Sequence, residues 1–254
     1  MIRYGARTLF LKEVRRFFRV PGQTLLTPVI TTALYLVVFG SALGGRLREM
    51  DGVPYIAFIT PGLVMLAVIT NAYANASSSM FISKLQGTVV DILVAPLRYG
   101  EIVGAMVGAS TVRALLVGAA TFVVALLFQG GLSVAHPLLA LLFPVLAGIG
   151  LGSLGLFTGV WAEKFEHVNL VPAFLITPLT FLGGVFYDVS QLPQPFATLT
   201  RFNPVLYVVE GMRFAVLGTS SISPWVSLLG LLVFDALAVG ICVAIFRRGW
   251  KLRS

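Results

Sequence analysis

Apolar residues in this chain fall in six runs, near positions 23–44, 54–79, 101–128, 137–161, 169–188 and 224–246, set apart by Pro, Gly and charged residues. A helix needs about 20 predominantly apolar residues to cross the hydrocarbon core of a bilayer, so each run is long enough for one span. The pattern predicts an all-α integral membrane protein with six transmembrane helices. Six spans and their short connections occupy nearly all of the 254 residues, leaving no room among them for a separate soluble domain. Three stretches do not fit a simple up-and-down bundle, and each predicts an element of its own.

The first is residues 1–20. On a helical wheel Lys12, Arg15, Arg16 and Arg19 share one face while Leu9, Phe10, Val14 and Phe17 cover the other, the pattern of an amphipathic helix lying in the membrane interface. Glu13 falls near the middle of the apolar face, where a lone carboxylate is unfavourable unless paired. A salt bridge to a neighbouring cytoplasmic loop or the docking of a partner would each satisfy it. The second stretch, KLQGTVVDILVAPLRYGE (84–101), is too polar to cross, yet Val89, Val90, Ile92, Leu93 and Val94 are too apolar for an idle loop. It predicts a short surface helix with Thr88 as its cap, Asp91 in its first turn and Pro96 as its stop. Such a helix offers an apolar patch to another protein.

The third stretch is FYDVSQLPQPFATLTRFNPVLYVVEGMRFAVLG (186–218), which meets Asp188, Pro193 and Pro195, turns apolar around Asn203 and Pro204, and reaches Gly218 without meeting a basic cluster. A crossing here would carry the C-terminal tail to the wrong side, so the segment is expected to dip into the outer leaflet and return. Irregular backbone at membrane depth survives only when buried in protein or lining a cavity. Glu210 and Arg213 sit three apart, close enough to pair on one helix face.

Charge fixes the orientation. Thirteen of the 18 Lys and Arg residues lie in four polar stretches: Arg3, Arg7, Lys12, Arg15, Arg16 and Arg19; Lys84 and Arg98; Lys164; and Arg247, Arg248, Lys251 and Arg253. The positive-inside rule places all four in the cytoplasm, and with them both termini. The segments left outside balance Arg46, Arg48, Arg201 and Arg213 against Glu49, Asp51, Asp188 and Glu210. With 57% hydrophobic and 11% charged residues, a water-soluble domain is excluded, since such domains carry about a quarter charged residues. The basic start lacks a small-residue cleavage site after its first apolar run and is expected to be retained. A single cysteine, Cys242 in the last run, excludes a disulfide framework.

Candidate chemistry is sparse. Arg113 and Asp235 are the charges set well inside apolar runs, where ionisable groups usually face the protein interior. They could pair or serve a pathway. Asn71, Asn75, Ser78 and Ser79 recur at helical spacing as one polar stripe, suited to hydrogen bonding between helices. Gly104 with Gly108, Gly148 with Gly152, and Gly155 with Gly159 are spaced to let helices approach closely. His136 and His167 flank opposite ends of the fourth run, too little for a His-based metal cluster or a Ser-His dyad. The P-loop G-x-x-x-x-G-K-[ST] is missing, so this chain cannot hydrolyse ATP by that machinery. A basic balance confined to one membrane face fits anionic lipid or an acidic protein better than nucleic acid.

Five stretches carry a resemblance: LKEVRRFFRVPGQTLLTPVI (11–30), FITPGLVMLAVITNAYANASSS (58–79), GTVVDILVAPL (87–97), LVPAFLITPLTFLGGVFYDVSQLP (170–193) and NPVLYVVEGMRFAVLG (203–218). Through them the chain resembles the membrane subunit, or permease, of ABC type-2 exporters, and more closely the bacterial YadH-like subgroup near drug-export and nodulation-factor-export permeases. The resemblance implies one ABC type-2 transmembrane domain over 1–254, with an interfacial helix at 1–20, a coupling helix at 84–100 between spans 2 and 3, and a re-entrant helical hairpin at 189–218 between spans 5 and 6. It implies that Gly87, Thr88, Asp91, Leu93 and Pro96, with Glu13 on the interfacial helix, form the coupling surface for an ATPase. Asn203, Pro204, Tyr207, Glu210 and Arg213 match the hairpin. Asn71, Asn75, Arg113 and Asp235 are left as pathway or helix-packing groups.

The same resemblance implies a homodimer in the bacterial inner membrane with two copies of a separate ATPase. That partner would bind ATP and Mg, and this chain would hold no cofactor and catalyse nothing itself. The cargo could be a lipid, a lipid-linked glycan or an amphiphilic drug. A secondary transporter or channel not driven by ATP is the alternative. It would show repeated broken helices and midplane ion sites, of which only Arg113 and Asp235 give a hint.

Overall fold

The computed structural model describes residues 2–19, 22, 26–42, 49–50, 52–129 and 133–252. Helix α1 (Ile2–Phe18) is followed by α2 (Thr27–Ala42), a two-residue antiparallel ribbon pairing Glu49 with Pro54 and Met50 with Val53, α3 (Tyr55–Leu85), the short α4 (Val89–Val94), α5 (Tyr99–Gln129) and α6 (Pro137–Trp161). Then come α7 (Phe165–Val171), a π-turn at Pro172–Ile176, α8 (Thr177–Leu182), a 3-10 turn at Val189–Gln191, α9 (Phe196–Thr200), α10 (Pro204–Leu217) and α11 (Pro224–Arg248).

Among the described residues five helical segments are long and apolar enough to cross a membrane: Tyr55–Leu85, Tyr99–Phe128, Pro137–Trp161, Phe165–Leu182 and Pro224–Arg248. The run expected at 23–44 is the 16-residue α2. Positions 23–25 and 43–44 of that run lie outside the described residues, as do Arg46, Arg48, Asp51 and Arg253. The fifth segment begins and ends earlier than the expected 169–188, because Gly183 and Gly184 turn the chain, Gly184 with φ +77. Its π-turn has a local cause. Pro178 offers no N–H and crowds the carbonyl four residues back, and the preceding Thr177 N–H bonds to Pro172 O, one residue further than in an α-helix.

Helix α3 sits at the centre and touches α2, α5, α6, α7 and α10. Two apolar cores stack along the bundle. One gathers Phe58, Leu63, Ile69, Phe143, Val209 and Leu231, the other Leu9, Met80, Val89, Ile92, Leu156 and Phe246. Small residues set the closest approach. A Cβ at Gly155 would lie 2.4 Å from the Tyr73 carbonyl oxygen, and one at Gly159 2.7 Å from that of Ser77, so α6 lies directly on the α3 backbone. Gly148 and Gly152 face Thr111 and Ser110 of α5. The third glycine pair is different: Gly104 meets nothing within 4 Å and Gly108 only the ring edge of Phe10. Gly155→Val should push α6 off α3 and lower stability by about 1–3 kcal/mol, read as a fall in Tm of the solubilised protein. Gly104→Ala should leave Tm unchanged.

One end of the bundle is basic. There α1, α4, the α6–α7 connection and the end of α11 meet: Lys84 Nζ donates to the carbonyls of Val160 and Ala162, Lys251 pairs with Glu163, and Arg247 and Arg248 close α11. The ribbon, residues 133–136 before α6 and α10 occupy the opposite end. Asn203 caps α10, its Oδ1 accepting from the Val205 N–H at 2.9 Å while its Nδ2 donates to the Leu179 carbonyl at 2.6 Å. Pro204 follows at the first helical position, where its missing N–H is not needed. The helix ends on Gly218 in the left-handed region, φ +78. There the carbonyls of Ala215 and Val216 accept from the backbone N–H groups of His136 and Ala135. With 14 residues, α10 is about 21 Å long, and both of its ends are tied to the same end of the bundle.

Candidate functional site

Three constellations carry polar or exposed groups that the packing alone does not require. At the basic end, Gly87 turns the chain out of α3 with φ +73. Val89 and Ile92 of α4 are buried, whereas Val90 and Val94 are 54% and 78% exposed, with Leu85 beside them at 74%. Asp91 and Pro96 are exposed and Leu93 is half-buried. Thr88 does not cap α4. It already has helical φ and ψ, so its side chain cannot reach forward, and its Oγ1 donates to the Ser83 carbonyl instead. The helix covers only Val89–Val94 of the expected 84–100. α3 runs on to Leu85, and Ala95, preceding Pro96, is driven to extended backbone, ψ 144.

A cavity of about 660 Å³ separates α4 from α1, lined among others by Thr8, Lys12, Glu13, Asp91 and Ile92. Glu13 is buried. Its Oε2 accepts from Ser79 Oγ at 2.5 Å and from Arg16 Nε at 3.0 Å, and its Oε1 faces Lys12 Nζ at 3.4 Å. Its partners are thus its own helix and α3, not a cytoplasmic loop, because α1 is laid on the bundle with the row Leu9, Glu13, Phe17 inward.

Above this groove lies a polar centre that the helical wheel did not reveal. Arg16, expected on the solvent face, turns inward and donates through Nη2 to Asn75 Oδ1 at 2.8 Å and to the Asn75 carbonyl at 3.1 Å. Arg113 donates from Nη1 to the same Oδ1 at 3.2 Å and from Nη2 to Asn71 Oδ1 at 3.5 Å. Ser78 turns back to its own helix, donating to the Ala74 carbonyl. Arg113 and Asp235 do not pair. α5 presents Arg113 to α3, whereas Asp235 on α11 faces α6, where a Cβ on Gly150 would touch its Oδ1 at 2.4 Å. The sequence signal for Arg16 was its i, i+3 spacing from Glu13. The centre opens into a cleft of about 730 Å³ between α2, α3 and the α7–α8 segment, lined also by Tyr35, Leu63, Phe181 and Phe186.

At the opposite end, Glu210 and Arg213 form an ion pair with both side chains almost fully buried. Arg213 Nη2 donates to the Gly184 carbonyl at 2.7 Å, and its guanidinium lies 3.9 Å from the Phe58 ring centroid. Glu210 Oε2 accepts from the Ser221 N–H at 2.7 Å, and Ser221 Oγ donates to Asp188 Oδ1 at 2.8 Å. Burial pushes the Asp188 carboxyl up, but hydrogen bonds from Ser190 and Ser221 and the Arg213 charge outweigh it and hold the group below its ordinary value. The Tyr207 hydroxyl donates to the Arg201 carbonyl, with the ring against Gly230. Among the described residues no group of three or more His, Cys, Asp or Glu side chains could hold a metal ion.

A family model described as "ABC-2 type transporter" matches residues 4–217. The chain is 40% identical over 249 residues to the inner membrane transport permease YadH of Escherichia coli (strain K12), covering 98% of this chain and 96% of that one. It is 30% identical over 232 residues to Nodulation protein J of Rhizobium leguminosarum bv. trifolii, covering 89% and 86%. Against Nodulation protein J of Rhizobium meliloti (strain 1021) the identity is 27% over 231 residues, covering 91% and 88%.

Proposed function

Because this chain belongs to the ABC-2 type transporter family, we propose that it is the permease subunit of an ATP-driven exporter in the bacterial inner membrane. The observation that carries this reading is the outward apolar face of α4. Leu85, Val90 and Val94 stand exposed around Asp91 at the basic end, on a chain without a P-loop. An apolar face in that position fits the docking of a separate ATPase that holds ATP and Mg. In this reading α4 is the coupling helix, α1 the interfacial helix among lipid headgroups, and the groove between them at Glu13 part of the docking surface. α2 is the first of six spans, both termini are cytoplasmic, and α9 with α10 is a re-entrant hairpin at the outer side. The cleft beside Asn71, Asn75 and Arg113 is the substrate path, which a second copy of the chain closes from the α2 and α8 side. A homodimer with two ATPase subunits follows.

Copurification tests the reading. A tagged chain should bring down an ATPase, and ATP hydrolysis should appear only with that partner. Interface anchors cost above about 1–2 kcal/mol when truncated, so Asp91→Ala, Leu93→Ala and Val94→Ala should each weaken ATPase binding roughly five- to thirty-fold while insertion stays normal. ATP hydrolysis by the repurified chain alone, or undiminished ATPase binding in all three variants, would overturn it. The alternative driven by ion gradients expects broken helices in corresponding halves. Among the described spans helical hydrogen bonding is interrupted at Pro61 in α3, at Pro144 in α6 and at the π-turn Pro172–Ile176, and each segment continues as helix through its interruption.

A further inference from the structure

The cleft between α2, α3 and the α7–α8 segment is unevenly charged. Arg16 and Arg113 line it, and no carboxylate does among the described residues. Arg16 shares Glu13 with Lys12. Arg113 meets no carboxylate among the described residues; its guanidinium is held by the amide oxygens of Asn75 and Asn71. Asn75 Oδ1 is already taken by Arg16 at 2.8 Å, so two cations converge on one neutral oxygen. Arg113 lies 14 residues into α5, about 21 Å along the helix, well inside the apolar run. A cation at that depth is unfavourable without a counter-charge, and a planar guanidinium pair is suited to a phosphate-type or carboxylate group.

The rest of the cleft is uncharged. Tyr35, Leu63, Phe181 and Phe186 line it, with Thr32 and Thr180 between them, and Leu63 precedes Asn75 by 12 residues on α3, about 18 Å along the helix. A charged end and an uncharged, aromatic-lined trough of that length match a molecule with both a head and a tail. Resting on the permease reading, we infer that this cleft binds an anionic amphiphile. Arg113 and Arg16 receive its phosphate-type or carboxylate head, Asn71 and Asn75 orient the guanidinium groups, and the aromatic trough takes the hydrocarbon chain.

The test uses the full chain with its copurified ATPase in phosphatidylcholine nanodiscs, irradiated with a diazirine-bearing dodecyl phosphate, and the crosslinked peptides are mapped. Label should fall on α3 and the α7–α8 segment. Unlabelled dodecyl phosphate should compete, whereas dodecyltrimethylammonium and inorganic phosphate at the same concentration should not. Arg113→Gln should lower labelling about tenfold, Arg113→Lys should retain part of it, and Arg247→Gln should leave it unchanged. Addition of ATP and Mg separates the two sources of such a head: release of the probe marks a cargo, and retention marks a resident lipid, and either supports the site. Equal competition by dodecyltrimethylammonium, competition by inorganic phosphate, or label confined to other helices overturns it. These competition arms need no variant, so they decide the matter even if Arg113→Gln misfolds. Failure of the charge selectivity with the ATPase still bound removes the subsite alone, whereas absence of any ATPase removes the permease reading.

Discussion

Arg213→Met is expected to remove most of the folded protein from detergent extracts. Arg213 and Glu210 are among the most buried charged groups described, and each is the other's counter-ion. Taking away the guanidinium leaves the Glu210 carboxylate inside the bundle with the Ser221 N–H as its one remaining partner among the described residues, and strands the Gly184 carbonyl. Breaking a buried pair from one side costs about 3–5 kcal/mol, a large part of a typical folding free energy of about 5–15 kcal/mol. The double substitution Glu210→Met with Arg213→Met removes both charges and should recover part of the loss. Recovery stays partial, because Ser221 and Gly184 still lack their partners. Size-exclusion profiles and Tm of the three variants decide this; an Arg213→Met protein that elutes and melts like the wild type defeats it.

That pair was legible in the sequence because an i, i+3 contact depends only on the helix that carries it. The same holds for Asn203 and Pro204, whose order is a helix start, and for Pro96 as the stop of α4. What could not be read depends on the rotation of one helix against another. Arg113 and Asp235 sit in different spans at comparable depth, but α5 turns Arg113 to the asparagines of α3 while α11 turns Asp235 to Gly150. Arg16 illustrates the same limit from the other side. A wheel groups it with Lys12, Arg15 and Arg19, yet its contact with Asn75 spans 59 residues and exists only because α1 is laid against the bundle. Gly104 has the spacing of a close-packing glycine and meets nothing, whereas Gly155, with the same spacing, touches the α3 backbone. Periodicity sets which residues share a face, and only the assembled neighbours set which face is covered.

A cysteine placed at Thr219, in a Cys242→Ser background, is expected to react with an impermeant thiol reagent from the periplasmic side alone, and one at Thr198 from the same side. The expectation separates a hairpin from a seventh crossing, which the apolar composition of 204–217 alone does not. A crossing in that segment would carry Arg247, Arg248 and Lys251 outside, against the bias set by Arg7, Lys12, Arg15 and Arg16. The contacts of α10 support the hairpin independently. Its start is bonded to Leu179, three residues before the end of α8, and its last carbonyls to Ala135 and His136 just before α6. Between these ends Gly211 touches Phe143, Arg213 touches Phe58, and Tyr207 touches Gly230. Each of those partners lies within six residues of the end of its own helix, about 9 Å at the helical rise, against a hydrocarbon core of about 30 Å. Contacts that lie so close to one end are those expected of a hairpin. Both test positions are exposed, so silence from either side would not come from burial in this chain. Labelling of Thr219→Cys from the cytoplasm would show that the chain passes through between α9 and α11, and both the hairpin and the count of six spans would fall together.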